Sequence, residues 1–264
     1  MLKKGSYSSL IAVILIVLLS SCSEYQKIVN SSDYDLKYEK AMAYYDEEDY
    51  IRSSALLEEL LAVYKGTETA EEIYYRYSYT YYYQKDYPMA GYYFSQFVTQ
   101  FPSSKYADEC AFMRAFCFYE DSPSSNLDQT STLRAIDELQ IFINRHPVSP
   151  RIEECNKLID ELNDKLVQKS FNGAKLYYDL GEYKASITAL NNSLLEFPDT
   201  RFREELLFLI LKSSYELARN SIPSLIKERY EKSTDAYYKL IDEFPETEYL
   251  KEAKRLFEAS KKAL

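Results

Sequence analysis

The 264-residue sequence predicts an all-α chain, an α-solenoid of about five helix pairs closed by a C-terminal capping helix. Three observations predict it. Only five glycines and no tryptophan accompany 46% hydrophobic residues, so the chain lacks the turn signals that a sandwich or barrel shows about every 8–12 residues. An apolar run ends at an aromatic–Pro or His–Pro step four times, in "FVTQFPSS" (97–104), "FINRHPVS" (142–149), "SLLEFPDT" (193–200) and "LIDEFPET" (240–247). Fifteen residues before three of those prolines stand Tyr87, Tyr183 and Tyr230, each followed three on by a small residue (Ala90, Ser186, Ser233) and seven on by a large apolar one (Phe94, Leu190, Tyr237).

Residues 1–21 read as a lipoprotein signal peptide. Lys3 and Lys4 precede an apolar run from Leu10 to Leu19, and Leu19-Ser20-Ser21-Cys22 resembles a bacterial lipobox, making Cys22 the lipidation site. The run is too short to cross a bilayer as a helix, which takes ~20 residues. Residues 22–32 are expected to form a flexible lipidated linker. The formal charge of −10 becomes −12 once Lys3 and Lys4 are removed, so the membrane is expected to be held by the lipid anchor only. No basic footprint for nucleic acid exists.

The helix pairs follow in order. The first spans 33–48 and 50–65, capped by Asp33, with Tyr50, Ser53 and Leu57 in the marker positions and Lys65 where the proline is missing. In the second, 69–85 and 87–101, Tyr74, Tyr77, Ser78 and Tyr81 fall at i, i+3, i+4, i+7 and form one stripe. The third, 104–120 and 129–145, contains the polar insertion "EDSPSSNLDQTS" (120–131), with Asp128 as cap and Thr132, Ala135 and Leu139 keeping the register to Pro147. Residues 150–180 have no breaker except Gly173 and read as one long helix spanning two repeats, paired with 183–197. A fifth pair, 200–220 and 224–244, precedes a capping helix at 247–263. At each step Pro lacks the N–H that would continue the helix and pushes its predecessor out of the helical region.

The chemistry-bearing residue types are scarce. His146 is the one histidine and sits against Pro147, which leaves almost no room for His-based metal sites and Ser-His or Cys-His pairs. No phosphate-binding loop, GxSxG or CxxC occurs, and "SDYD" and "DSPSSNLD" lack the Gly and Glu of a calcium loop. No catalytic residue, metal ligand or cofactor is expected. Cys110 and Cys117 lie about 10 Å apart on one helix, beyond the ~7 Å a disulfide allows, and with Cys155 read as small core residues.

The spacing resembles the tetratricopeptide repeat, two antiparallel helices with a large residue opening the second and a proline closing the unit. The resemblance implies a groove walled by the first helix of each pair. On the first pair that face carries Tyr38, Met42 and Tyr45, and on the second Tyr75, Tyr79, Tyr82 and Tyr83. These rings either bind a substrate peptide through packing and hydroxyl hydrogen bonds or fill gaps between repeats in a chain without Trp.

The lipobox, the five pairs, the insertion and the long helix together resemble the BamD family, lipoproteins of the outer-membrane β-barrel assembly machinery. The likeness runs roughly from 33 to 245 and is carried by Asp128-Gln129, the Ala135 to Phe142 helix, Pro147, Lys165 to Lys169 and Pro198-Asp199-Thr200. It departs in the first repeat, which runs into "YKGTET" (64–69). The resemblance implies a scaffold at the periplasmic face of the outer membrane. Its repeats 1–3 (33–149) would receive unfolded β-barrel precursors, and repeats 4–5 with the cap (150–264) would dock on the periplasmic domains of BamA. "SEYQK" after Cys22 lacks an acidic run that would suggest surface export. The alternative is a repeat scaffold organising other envelope or peptidoglycan machinery.

Overall fold

The computed structural model describes residues 24–264, and every regular element among them is an α-helix. Residues 1–21 and Cys22 lie outside the described residues. The elements are α1 (24–29), α2 (Tyr34–Asp46), α3 (Tyr50–Val63), α4 (Thr69–Tyr83), α5 (Tyr87–Gln100), α6 (Ala107–Glu120), α7 (Thr130–Arg145), α8 (Ile152–Asp179), α9 (Tyr183–Glu196), α10 (Arg203–Arg219), α11 (Pro223–Glu243) and α12 (Leu250–Ala263). From α2 onward each bound falls within three residues of the sequence map, and consecutive helices pack as tetratricopeptide-like pairs ending in the C-terminal helix α12. The chain divides into two compact units, one holding the residues up to Ser122 with Ser131–Ile159, the other Pro123–Thr130 with Asp160–Leu264.

One expectation is corrected at the start. Residues 24–29, read as flexible linker, are helical. Ile28 is buried in the cluster of Leu56, Leu57, Leu60, Ile73 and Tyr77, with Tyr25 and Val29 packed against it. The helix exists because the first pair offers its side chains an apolar surface, each contributing roughly 1.5–3 kcal/mol when fully buried.

Three of the turns inside the pairs share one geometry. Glu48, Lys85 and Gly181 have φ of 61°, 62° and 77° and stand two residues before the tyrosine that opens the second helix. At each, the N–H of that residue donates to the carbonyl three back (Tyr45, Tyr82, Tyr178) and the next N–H to the carbonyl five back (Tyr44, Tyr81, Tyr177). This double closure satisfies two of the orphan carbonyls at a helix C-terminus. It suits glycine, and a side chain there costs about 1–2 kcal/mol. After allowing for the unfolded-state entropy of glycine, Glu48→Gly and Lys85→Gly should each stabilise the protein by about 0.5–1 kcal/mol. Urea midpoints measure this, and a lower midpoint in both variants would contradict the strain.

The turns between pairs are also alike. In the aromatic–Pro phrases Phe101, Phe197 and Phe244 sit at φ −126° to −128°, outside the helical region as the following proline requires. A carbonyl-to-N–H turn then closes from Phe101 to Ser104, His146 to Ser149, Phe197 to Thr200 and Phe244 to Thr247. The hydroxyl of that Ser or Thr accepts from an N–H two residues on, in Tyr106, Arg151, Phe202 and Tyr249. Proline ends one helix and the hydroxyl begins the next. Where the first pair lacks proline, Gly66 at φ 82° lets Tyr64 and Thr67 close the same turn.

Small residues set how closely helices cross. Ser53 donates to the Ala41 carbonyl at 2.9 Å. Ser186 meets Ser213 and Ser233 meets Ser260, each pair buried at 3.0 Å and 27 residues apart in sequence. A Cβ added at Gly91 would stand 3.4 Å from that of Cys117, which is buried where α6 crosses α5. All three cysteines after Cys22 are buried free thiols. In the second unit Leu190, Leu206, Leu211, Leu240 and Leu256 belong to one core shared by α9 to α12.

Candidate functional site

The candidate site is the tyrosine-rich face that α4 builds in the first unit. The helix carries a run of rings, "YYRYSYTYYY" (74–83), so tyrosines occupy every side of it. Tyr74 and Tyr77 lie on the side facing α5: Tyr74 meets Phe97 and Phe101 edge-on, and Tyr77 packs on Tyr81 and Tyr93. The other side carries the residues expected to bind peptide.

There the structure joins five of the seven expected residues. Tyr45 meets Tyr83 at 6.2 Å, Tyr83 meets Tyr79 at 5.7 Å, Tyr79 meets Tyr75 at 4.9 Å, and Tyr82 lies 6.1 Å from Tyr79. Tyr79 is only 8% exposed. Its ring packs edge-on against Phe94 at 4.9 Å and its hydroxyl donates to Glu109 at 3.0 Å, so it is a packing element between α4 and its neighbours. Tyr82 is half-buried between Tyr87 and Phe116. Tyr83 is 45% exposed. Tyr38 and Met42 stand apart from this set and pack on the core of the first pair, where the Tyr38 hydroxyl donates to Glu72 at 3.2 Å.

Two further rings complete the strip. Tyr50 stacks on Tyr83 with centroids 4.6 Å apart, and Tyr106 stacks on Tyr75 at 4.3 Å. Tyr50 had been visible only as the marker that opens a second helix, and Tyr106 follows the Pro102 turn; only folding brings either against α4. Cations frame the strip: the Arg76 guanidinium lies 4.9 Å from the Tyr45 ring and Lys105 lies 4.7 Å from that of Tyr106. Arg76 also pairs with Glu72 and Asp46. The arrangement offers apolar ring faces with hydroxyl tips, suited to holding a chain segment by stacking and a few hydrogen bonds.

Burial pushes these phenols up. Tyr74 and Tyr82 rise to about 12, in both cases chiefly through burial. Tyr45, Tyr77 and Tyr79 are pushed further, again first by burial, and at Tyr79 then by the Glu109 carboxylate. Burial also pushes the thiols up, Cys117 to about 12 and Cys155 to about 11, which leaves them protonated at neutral pH. Among the described residues no group of three or more His, Cys, Asp or Glu could hold a metal ion. No described helix is long and apolar enough to cross a membrane.

The family model described as "YfiO: Outer membrane lipoprotein" matches residues 31–228. The curated outer membrane protein assembly factor BamD of Caulobacter vibrioides is 24% identical to the chain over 109 residues, which is 41% of this chain and 36% of that protein. The aligned part therefore spans about a third of the relative's length. The family match takes in both stacked pairs of the tyrosine strip and the long helix α8, and the chain belongs to the YfiO, or BamD-like, outer membrane lipoprotein family.

Proposed function

We propose that the protein is a non-catalytic scaffold of the outer-membrane β-barrel assembly machinery, held at the periplasmic face of the outer membrane by acyl chains on Cys22. Residues 33–149 receive unfolded barrel precursors, and residues 150–264 dock a BamA-type barrel protein through its periplasmic domains. Membership of an outer membrane lipoprotein family supports the location, and the assembly role in the name of the Caulobacter relative supports the activity. The observation that carries the precursor role is the stacked pair Tyr50 and Tyr83, with Tyr45 against both.

Those rings can meet a precursor without unpacking the core, whereas Tyr79 cannot. The test is photo-crosslinking of the membrane-anchored protein to a peptide from the C-terminus of a barrel precursor. Tyr50→Ala with Tyr83→Ala should cut the yield about fivefold or more, as expected for two aromatic anchors worth about 1 kcal/mol or more in total. Tyr79→Phe should leave it unchanged. Co-purification of the BamA-type partner should survive both. Equal crosslinking in all three proteins would remove the precursor role from this strip. Recovery of other envelope proteins in place of a BamA-type barrel would favour the general envelope scaffold.

A further inference from the structure

The second unit carries a groove that the precursor reading does not use. It is a cavity of about 280 Å³ lined by residues of α9, α10 and α11. Its apolar lining comes from Ile187 of α9, Ile210 and Leu217 of α10, and Ala236 of α11. Arg229, Lys232 and Lys239 line it with Ala236 at i, i+3, i+7 and i+10 spacing, which puts all four on one face of α11. Asp235 is the one carboxylate among the lining residues.

The cations are unequally engaged. Lys232 is paired with Glu228 at 2.6 Å on the preceding turn. Arg229 donates from one terminal nitrogen to the Ser221 hydroxyl at 2.6 Å, which leaves the rest of its fork to a ligand. No ion pair among the described residues holds Lys239. Three cations against one carboxylate stand out in a chain with 32 basic and 42 acidic residues.

We infer that this groove takes an acidic amphipathic segment of a partner protein, with bulky apolar side chains against Ile187, Ile210 and Leu217 and carboxylates at Arg229 and Lys239. Charge spacing favours a peptide over a lipid. Ten residues of helix separate Arg229 from Lys239, about 15 Å at a 1.5 Å rise per residue. Carboxylates distributed along two or three turns of a helix reach both, and a single headgroup reaches one. A helix laid in an apolar groove presents side chains at i, i+3 and i+4, matching a shallow cavity that admits only two or three of them.

The test uses the full chain and a fluorescein-labelled synthetic peptide with Leu and Phe at i, i+3, i+4, i+7 positions and Glu on the flanking positions, read by fluorescence anisotropy. The Glu peptide should bind with a dissociation constant on the order of 10 μM, and its Gln counterpart about tenfold more weakly, a difference of about 1.4 kcal/mol. Lys239→Glu, at an exposed position, should weaken the Glu peptide about tenfold and spare the Gln peptide. Ala236→Leu, which fills the groove, should weaken both, with far-UV circular dichroism checking that each variant is folded. Equal affinity for the Glu and Gln peptides, or no effect of Lys239→Glu, would overturn the inference. So would displacement of the peptide by phosphatidylglycerol vesicles or dodecanoate at lower concentration than by unlabelled peptide, which would assign the groove to lipid. The outcome is independent of the crosslinking experiment, because the tyrosine strip belongs to the first unit.

Discussion

Phe94→Ala should cost about 3–5 kcal/mol of stability, a large share of the ~5–15 kcal/mol that holds a domain together. Phe94 is 0% exposed on α5 and its ring meets Tyr79 of α4. Alanine would remove the apolar burial and leave a void beneath Tyr79, whose hydroxyl is tethered to Glu109 and whose ring cannot readily follow. The lost term is thus both transfer and cavity. Tyr83→Ala on the same strip removes a ring that is 45% exposed but stacked on Tyr50, and should cost less, about 1 kcal/mol. Urea unfolding of the two variants makes the comparison. A Phe94→Ala loss below about 1 kcal/mol would mean the α4–α5 seam is not the tight contact described.

The second large effect is alkaline. Tyr74, Tyr77 and Tyr79 are buried, and burial holds Tyr74 up to about 12 and the other two higher. In the unfolded chain all three ionise near 10. Below that pH both states keep the protons and these groups contribute no pH dependence. Above it the unfolded chain releases protons that the folded protein retains, so stability falls as pH rises. At about 1.4 kcal/mol for each pH unit by which a phenol is held back, three such phenols make up a large share of the stability of a domain. Absorbance at 295 nm should therefore show one set of tyrosines ionising while the fold is intact and a second set appearing only as helicity is lost. A single tyrosine transition with unchanged circular dichroism would refute it.

How much was legible follows from where each signal resides. The helix pairs were readable because their markers are local: Tyr183, Ser186 and Leu190 sit within one helix, and Pro198 acts on its own neighbours. The hydroxyl that starts the helix after each of the four prolines was equally local, since Ser104, Ser149, Thr200 and Thr247 all stand two residues after the proline. Gly181 marked its turn by residue type, while Glu48 and Lys85 adopt the same backbone without any such mark. Helix α1 was hidden because its stability is borrowed from α2 and α3, far more than from the propensity of residues 24–29.

The tyrosine strip divides along the same line. Period and residue type by themselves determined an all-helical stack, the places where it breaks and the small residues at its crossings, because each depends on neighbours a few residues away. Only the tertiary structure decided which rings face water. In a stack of pairs a helix has two buried sides, and what covers the second side of α4 arrives from α6 and the turn before it: Glu109, 30 residues beyond Tyr79, and Tyr106, stacked on Tyr75. Tyrosine tolerates both burial and solvent, so nothing in the residue itself separates the packed Tyr79 from the exposed Tyr83 four positions on.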